Sequence, residues 1–236
     1  MSLKTNLHFH TKEDAHDVLT YSIFEGIDCA AKLGYEVLAW TPHRQVLCRP
    51  EHVEYAKQRG IILLPGIEAK IEGREILIIN CGLEAEKIQT FEALKKYKEE
   101  LGKNMLIIAP HPYFPANSVL GDKLLENINL FDAIEKSWFY TPVVDFNRKA
   151  VKISQVTGKP LIATSDTHRL SCLKRSYSLI DSEKNPASIM EAIRCGNLKN
   201  FSRPISLFYA ITFLLWVGYR PSAFWSRIKR KLVRRK

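Results

Sequence analysis

Apolar runs of strand length alternate with segments of helical spacing along almost the whole chain, and this alternation constrains the fold more than any other feature of the sequence. Leu3 to Phe9 reads as a first strand, and Tyr21 to Leu33 as a helix ended by Gly34. Glu36 to Trp40 reads as a strand and Glu51 to Arg59 as a helix closed by Gly60. Ile61 to Leu64 and Glu75 to Asn80 are short buried strands around a turn at Pro65-Gly66. Phe91 to Leu101 is a charged helix, followed by strands at Met105 to Ala109 and Ala133 to Glu135. Val144 to Thr157 is helical, Pro160 to Thr164 and Ser176 to Ile180 are strands, and Pro186 to Arg194 is a last helix. Repeated strand–helix units imply a largely parallel sheet with helical crossovers. Six or seven units over about 200 residues suit a barrel closed on itself, with an open doubly wound sheet as the structural alternative.

Charge excludes one class of function for this body. The chain of 236 residues has a formal net charge of +10, but Arg220 to Lys236 holds eight basic residues and no acidic one. Without that stretch 27 Lys and Arg face 25 Asp and Glu, a net of +2. A fold that is nearly neutral does not bind nucleic acid by overall charge. The five cysteines (Cys29, Cys48, Cys81, Cys172, Cys195) are scattered singly, which suits unpaired thiols in a reducing, cytoplasmic compartment. The first residues contain no apolar core of a signal peptide.

The histidines carry the chemistry. Of seven, five fall at the C-terminal ends of expected strands: His8 and His10, His43, His111 and His168. Glu68 and Asp166 fall at equivalent places, and in parallel α/β architectures that rim gathers ligand and catalytic groups. Burying several imidazoles at one rim as mere packing would require a partner for each. In His8-Phe9-His10 the strand period of two puts both imidazoles on one face and Phe9 on the other. Asp166-Thr167-His168 repeats the device with a carboxylate and an imidazole. Such ligands suit manganese, zinc or iron, and the lack of clustered cysteine argues against a structural zinc finger. A bridging carboxylate such as Glu68 would allow two metals ~3.5–4 Å apart, the arrangement used for displacement at phosphorus.

Leu7-His-Phe-His-Thr11, Gly34-Tyr-Glu-Val-Leu-Ala-Trp-Thr-Pro-His43, Gly66-Ile-Glu68, Ala109-Pro-His-Pro112 and Thr164-Ser-Asp-Thr-His-Arg169 occur in that order. The set resembles the ordered motifs of the PHP (polymerase and histidinol phosphatase) superfamily, from residue 3 to about residue 200. The resemblance implies a distorted (β/α)7 TIM-like barrel with two or three divalent metal ions on the strands' C-terminal rim. Its members include phosphatases, phosphoesterases and nucleases. Carried over, His8, His10, His43, Glu68, His111, Asp166 and His168 take ligand roles. A further ligand of the family falls near Asp14 and His16, between which spacing does not choose. Pro42 and Arg44 flank His43 where many members carry acidic or amide residues, and Lys136-Ser-Trp-Phe-Tyr140 lacks a histidine the family often has. Two firmly held metals are therefore a safer expectation than three.

The implied reaction is hydrolysis of a phosphate ester, of a small phosphorylated metabolite or a nucleotide, by metal-activated water. Arg44 and Arg169 directly follow proposed ligands and could each point a guanidinium at the phosphate. Lys136 and Tyr113 are weaker candidates at the pocket mouth. His52 matches no motif and reads as a surface residue, and Cys172 as structural. The rival readings are a nuclease acting on RNA or DNA ends and a non-catalytic metal-binding regulatory module.

Residues 1–203 form the expected barrel domain, and 204–236 an apolar and basic helical extension. Pro204 to Tyr219 has no charged residue and several aromatics, too short at 16 residues for the ~20 that span a bilayer. Its expected fate is packing on the barrel. The basic stretch 220–236, with Phe224, Trp225, Ile228, Leu232 and Val233 interleaved, suits peripheral attachment to an anionic membrane surface, in preference to nucleic acid.

Overall fold

A computed structural model of the chain describes residues 1–218. In chain order the elements are β1 (Ser2–Asn6), α1 (Ile23–Lys32), β2 (Val37–Trp40), α2 (Pro50–Lys57), β3 (Ile62–Ile71), β4 (Arg74–Ile79), α3 (Phe91–Leu101), β5 (Leu106–Ala109), α4 (Lys123–Glu126), β6 (Ala133–Lys136), α5 (Arg148–Thr157), β7 (Leu161–Ala163), β8 (Ser176–Asp181), α6 (Pro186–Arg194), β9 (Leu198–Ser202) and α7 (Leu207–Gly218). Local chemistry sets the helix starts. Ser22 and Glu25 form a reciprocal capping box on α1, Thr90 caps α3 through the Ala93 N–H, and Asn185 caps α6 ahead of Pro186.

The strands form one sheet in the order β7-β6-β5-β4-β3-β2-β1-β8-β9. It is less parallel than the sequence pattern implies. β1–β2, β2–β3, β5–β6 and β6–β7 are parallel, whereas β3–β4, β4–β5, β1–β8 and β8–β9 are antiparallel. The cause lies at Pro65-Gly66, which is no turn: β3 runs through it. Pro65 pairs with Trp40 of β2, and Gly66 pairs with Ile79 of β4, so the strand changes partner there. A Cβ on Gly66 would lie 2.9 Å from Thr41 Cγ2, which explains the glycine. The turn lies at Glu72-Gly73, whose φ values of 47° and 80° match a two-residue type I′ hairpin loop.

The sheet curls into a nearly closed barrel. At the rim Phe9 forms a parallel bridge with Thr167, joining the chain beyond β1 to the chain beyond β7. Lower down, side chains replace the backbone ladder. Asn200 accepts from the Ala163 N–H at 2.7 Å and donates to the Leu161 carbonyl at 2.7 Å, and Ser178 also bonds Ala163. Leu3, Val37, Leu64, Leu77, Ile108 and Ile162 fill one core cluster with Ile189, Met190 and Ile193 of α6. Alternate strand residues such as Ile78, Ile107 and Ile134 pack instead with α3 and α5, and Leu38, Trp40 and Leu63 with α1. Burial of both faces of these strands is the mark of an α/β barrel. It is the distorted (β/α)7-like barrel that the motif order implies.

Beyond β9, Ile205, Tyr209, Ala210 and Phe213 pack with Trp138, Phe139 and Cys172. The described part of the apolar extension thus lies on the barrel; Tyr219 and residues 220–236 lie outside the described residues. Among the described residues no helix is long and apolar enough to cross a membrane.

Candidate metal centre

The rim brings the dispersed histidines together. The Glu68 carboxylate lies at the centre: its Oε2 is 3.4 Å from His8 Nε2, 3.3 Å from His10 Nε2 and 3.2 Å from His43 Nε2. Its Oε1 is 3.5 Å from His111 Nε2. Asp166 Oδ1 approaches from the other side, 3.4 Å from His8 Nε2, 3.5 Å from His10 Nε2 and 3.2 Å from His168 Nδ1. Phe9, between the two leading histidines, points away into the cluster with Tyr21, Ile23 and Ile27, so the alternation of a strand holds past the end of β1 at Asn6, where Phe9 forms only an isolated bridge. Its ring fits against Gly26, where a Cβ would come within 2.4 Å of Phe9 Cζ.

Geometry separates Asp14 from His16. Asp14 is buried, and its Oδ2 accepts from the His43 N–H at 2.8 Å and lies 2.6 Å from His43 Nδ1 and 3.3 Å from His10 Nδ1. His16 stands at the edge, 39% exposed, with Nδ1 3.8 Å from Asp14 Oδ1. Donor atoms converge in three overlapping groups: His8, His10 and Asp166; His8, Glu68 and His111; His10, Asp14 and His43.

These residues fit divalent cations. His8 Nε2, His10 Nε2, Glu68 Oε1, Asp166 Oδ1 and His111 Nδ1 are buried without a hydrogen-bond partner. Leaving so many polar atoms unsatisfied in one place is costly, and native interiors avoid it. Lone pairs of imidazole and carboxylate converging at 3.2–3.5 Å are instead what a cation between them requires. The backbone is strained at the same place. His111 and Asp166 adopt φ of 26° and 40°, in the region that non-glycine residues rarely occupy.

Electrostatics point the same way. Burial opposes charge on His8, yet Asp166, Glu135 and Glu68 outweigh it and hold the imidazole well above its usual pKa. Burial likewise opposes charge on His10 and is overcome by the carboxylates of Asp14, Asp166 and Glu68 beside it. His168 is raised against burial by Asp166 and Asp17, and His111 is raised to about 9, against burial, chiefly by Glu68. The carboxyls of Asp14, Glu68 and Asp166 are held below their usual values, despite burial, by these histidines and, for Asp14 and Glu68, by His43. Without cations the cluster holds protons where metals would bind.

Two acidic residues here escape the sequence reading. Glu135, fully buried on β6, has Oε2 3.0 Å from His8 Nδ1 and 3.3 Å from the His111 N–H, while Thr164 donates to its Oε1 at 2.7 Å. Asp17 Oδ2 lies 2.9 Å from His168 Nε2. Asp17 belongs to the acidic and histidine run from Asp14, which is the signal for it; Glu135 has none beyond its place at a strand end.

Other expected site residues lie elsewhere. Arg44 lines a separate pocket with Ile67, Lys70 and Glu86. The Arg169 guanidinium stacks 5.7 Å over the Phe213 ring, close to the site but on its aromatic wall. Lys136 lies over Tyr140, and Tyr113 lies under Lys149. His52 is not a bare surface residue: its Nδ1 accepts from the Arg49 N–H, capping α2, and its ring meets Trp40 edge-on. Cys172 is buried, which pushes its thiol up to about 12, consistent with a structural role.

A cavity of about 330 Å³ opens over the cluster. His43, Glu68, His111, Asp166 and His168 face it from one side, and Phe114, Trp138, Phe139, Phe213 and Leu214 from the other.

Comparison with known proteins adds a partial family match. Residues 145–198 match the model of the PHP-associated family, which covers α5, β7 and the Asp166–His168 motif. Over 147 residues the chain is 29% identical to the protein MJ1587 of Methanocaldococcus jannaschii, covering 57% of this chain and 84% of that one. The fold is that of PsfC from Pseudomonas syringae (TM-score 0.64, 13% identity, 94% of this chain and 100% of that one). It is also that of the lesion-specific endonuclease EndoQ from Pyrococcus furiosus (TM-score 0.59, 19% identity). That match covers 85% of this chain but only 58% of EndoQ, so the barrel here corresponds to part of the larger enzyme.

Proposed function

We propose that the chain is a metal-dependent phosphoesterase that hydrolyses a phosphate ester of a small molecule. The observation that carries this reading is the set of buried, unsatisfied imidazole and carboxylate atoms gathered around Glu68 beneath the cavity. His8, His10, Asp14, His43, Glu68, His111, Asp166 and His168 would hold two divalent cations, manganese, zinc or iron. Bound cations would supply acidified water and neutralise charge on the phosphate oxygens.

The protein's own groups do the rest. Glu135 accepts from His8 Nδ1–H and so fixes the tautomer that presents the Nε2 lone pair to the centre. Asp17 Oδ2 lies 2.9 Å from His168 Nε2 as an acidic neighbour of that imidazole, whose Nδ1 meets the Asp166 carbonyl at 3.0 Å. The aromatic wall excludes bulk water from one side, which strengthens the charge interactions at the rim. A cavity of this volume, about 330 Å³, falls in the range of small-molecule sites, which favours a small ester over a nucleic-acid strand. The five unpaired cysteines fit a reducing compartment.

The test is hydrolysis of p-nitrophenyl phosphate by protein loaded with Mn²⁺, beside a His8→Ala/His10→Ala variant. The proposal requires metal-dependent turnover that the double substitution abolishes. Cleavage of a labelled oligonucleotide without turnover of any small ester would replace it with the nuclease reading.

A further inference from the structure

The aromatic wall does not end inside the cavity. Phe213 and Leu214, which line it, belong to α7. That helix has two apolar sides. Tyr209, Ala210 and Phe213 turn inward to Trp138 and Phe139, and Arg169 and Arg175 stack on Phe213 and Tyr209. Leu207, Phe208, Ile211, Leu214 and Leu215 face outward and are 49–78% exposed. Their spacing of i, i+1, i+4, i+7 and i+8 makes them one continuous helical stripe. Leu214 is common to the cavity lining and the stripe, so an apolar path runs from the candidate metal centre to the surface of the molecule.

An exposed apolar stripe of this kind on a helix is not explained by folding and marks an interaction surface. Three observations identify what it meets. Pro204 to Tyr219 runs 16 residues without a charge before Arg220, fewer than the ~20 that span a bilayer. The chain continues past it with eight basic residues and no acidic one between 220 and 236, which complements an anionic lipid surface. The stripe also adjoins the only wall of the cavity that is apolar and aromatic among its lining residues, leaving the charged wall for a phosphate.

We infer that α7 seats the protein on an anionic membrane surface, and that its substrate is the phosphate monoester of a long-chain, membrane-resident alcohol. This rests on the phosphoesterase reading and specifies its substrate class. The phosphate lies against the Glu68 cluster and the alkyl chain passes Phe213 and Leu214 toward the lipid. Water oxygen bonds to phosphorus as the phosphorus–alkoxy oxygen bond breaks; the leaving oxygen takes a proton, giving the free alcohol and inorganic phosphate.

The test compares butyl phosphate in solution with hexadecyl phosphate in phosphatidylglycerol vesicles, using the full Mn²⁺-loaded chain and the variant Leu207→Ser/Phe208→Ser/Ile211→Ser. These three residues lie outside the cavity lining. Seating α7 on the vesicle concentrates the protein where the long ester lies, so kcat/KM for the long ester exceeds that for butyl phosphate by well over tenfold. The triple variant loses at least tenfold on the vesicle substrate, floats less with the vesicles, and cleaves butyl phosphate as before. Cleavage of both esters with equal efficiency, or a triple variant unchanged on vesicles, overturns the lipid assignment while the phosphoesterase reading stands. Sedimentation showing a dimer that the same substitutions dissolve, with no vesicle binding, assigns the stripe to a second copy and overturns it too. Absence of turnover on both esters overturns both readings.

Discussion

The carboxylate of Glu135 is the sharpest point at which to perturb the centre, because it sits behind a histidine rather than among the converging donor atoms. It accepts from three groups: His8 Nδ1 at 3.0 Å, the His111 N–H at 3.3 Å and the Thr164 hydroxyl at 2.7 Å. Glu135→Gln keeps the shape and removes the charge. With the amide oxygen toward His8 the tautomer survives, but the negative charge that makes Nε2 a stronger donor is gone. With the amide nitrogen toward His8, Nδ1 becomes the acceptor and the proton moves to Nε2, blocking it. Loss of such a partner costs 10- to 100-fold in metal affinity, or about 1.4–2.7 kcal/mol. The hydroxyl of Thr164 can turn to donate or accept, so the fold itself stays intact. Titration of metal-free protein with Mn²⁺ or Zn²⁺ against a competing chelator reads the affinity, and circular dichroism checks the fold. A folded Glu135→Gln protein that binds metal within twofold of the parent would refute this reasoning.

Three further outcomes follow from the same geometry. In metal-free protein His8, His10, His111 and His168 have raised folded pKa values, so their contribution is full below the unfolded value near 6.5 and is lost as pH rises through the folded values, about 9 for His111. The lowered carboxyls of Asp14, Glu68 and Asp166 contribute above their ordinary range and lose that contribution only as acid reaches their folded values. Chelator-treated protein should therefore melt higher at pH 6 than at pH 9.5, and metal affinity should rise over the same span as protons leave; an equal melting temperature at both values counts against the ion cluster. Gly26→Ala drives a methyl into Phe9 and should cost about 1–3 kcal/mol in thermal unfolding, with weaker metal binding because His8 and His10 flank that ring. Asn200→Ala removes the side chain that ties β9 to Leu161 and Ala163 across the barrel seam, and urea unfolding should show a loss of about 1–3 kcal/mol; no change would mean the seam is held otherwise.

What the sequence discloses depends on how locally each feature is determined. His8 and His10 are legible because the two-residue alternation places them on one face and Phe9 on the other, and that alternation persists although β1 itself ends at Asn6. Helix ends are legible where Ser22, Thr90 and Asn185 cap them. Strand direction is not, since Pro65-Gly66 has the composition of a turn but serves a strand that changes partner, and Glu72-Gly73 turns without an asparagine or aspartate to announce it. Glu135 looks like the polar end of a short strand, and only the barrel's closure brings His8 to it. Arg44 follows a motif histidine yet lines a separate pocket beside Ile67. Adjacency in sequence does not fix which side of a strand a long side chain takes.

The central claim is that this rim holds divalent metal. Elemental analysis of protein purified without chelator, beside the His8→Ala/His10→Ala variant, tests it most directly. The account predicts close to two equivalents of manganese, zinc or iron in the parent and a large loss in the variant. A parent protein that carries no metal and takes up none when it is supplied would contradict it.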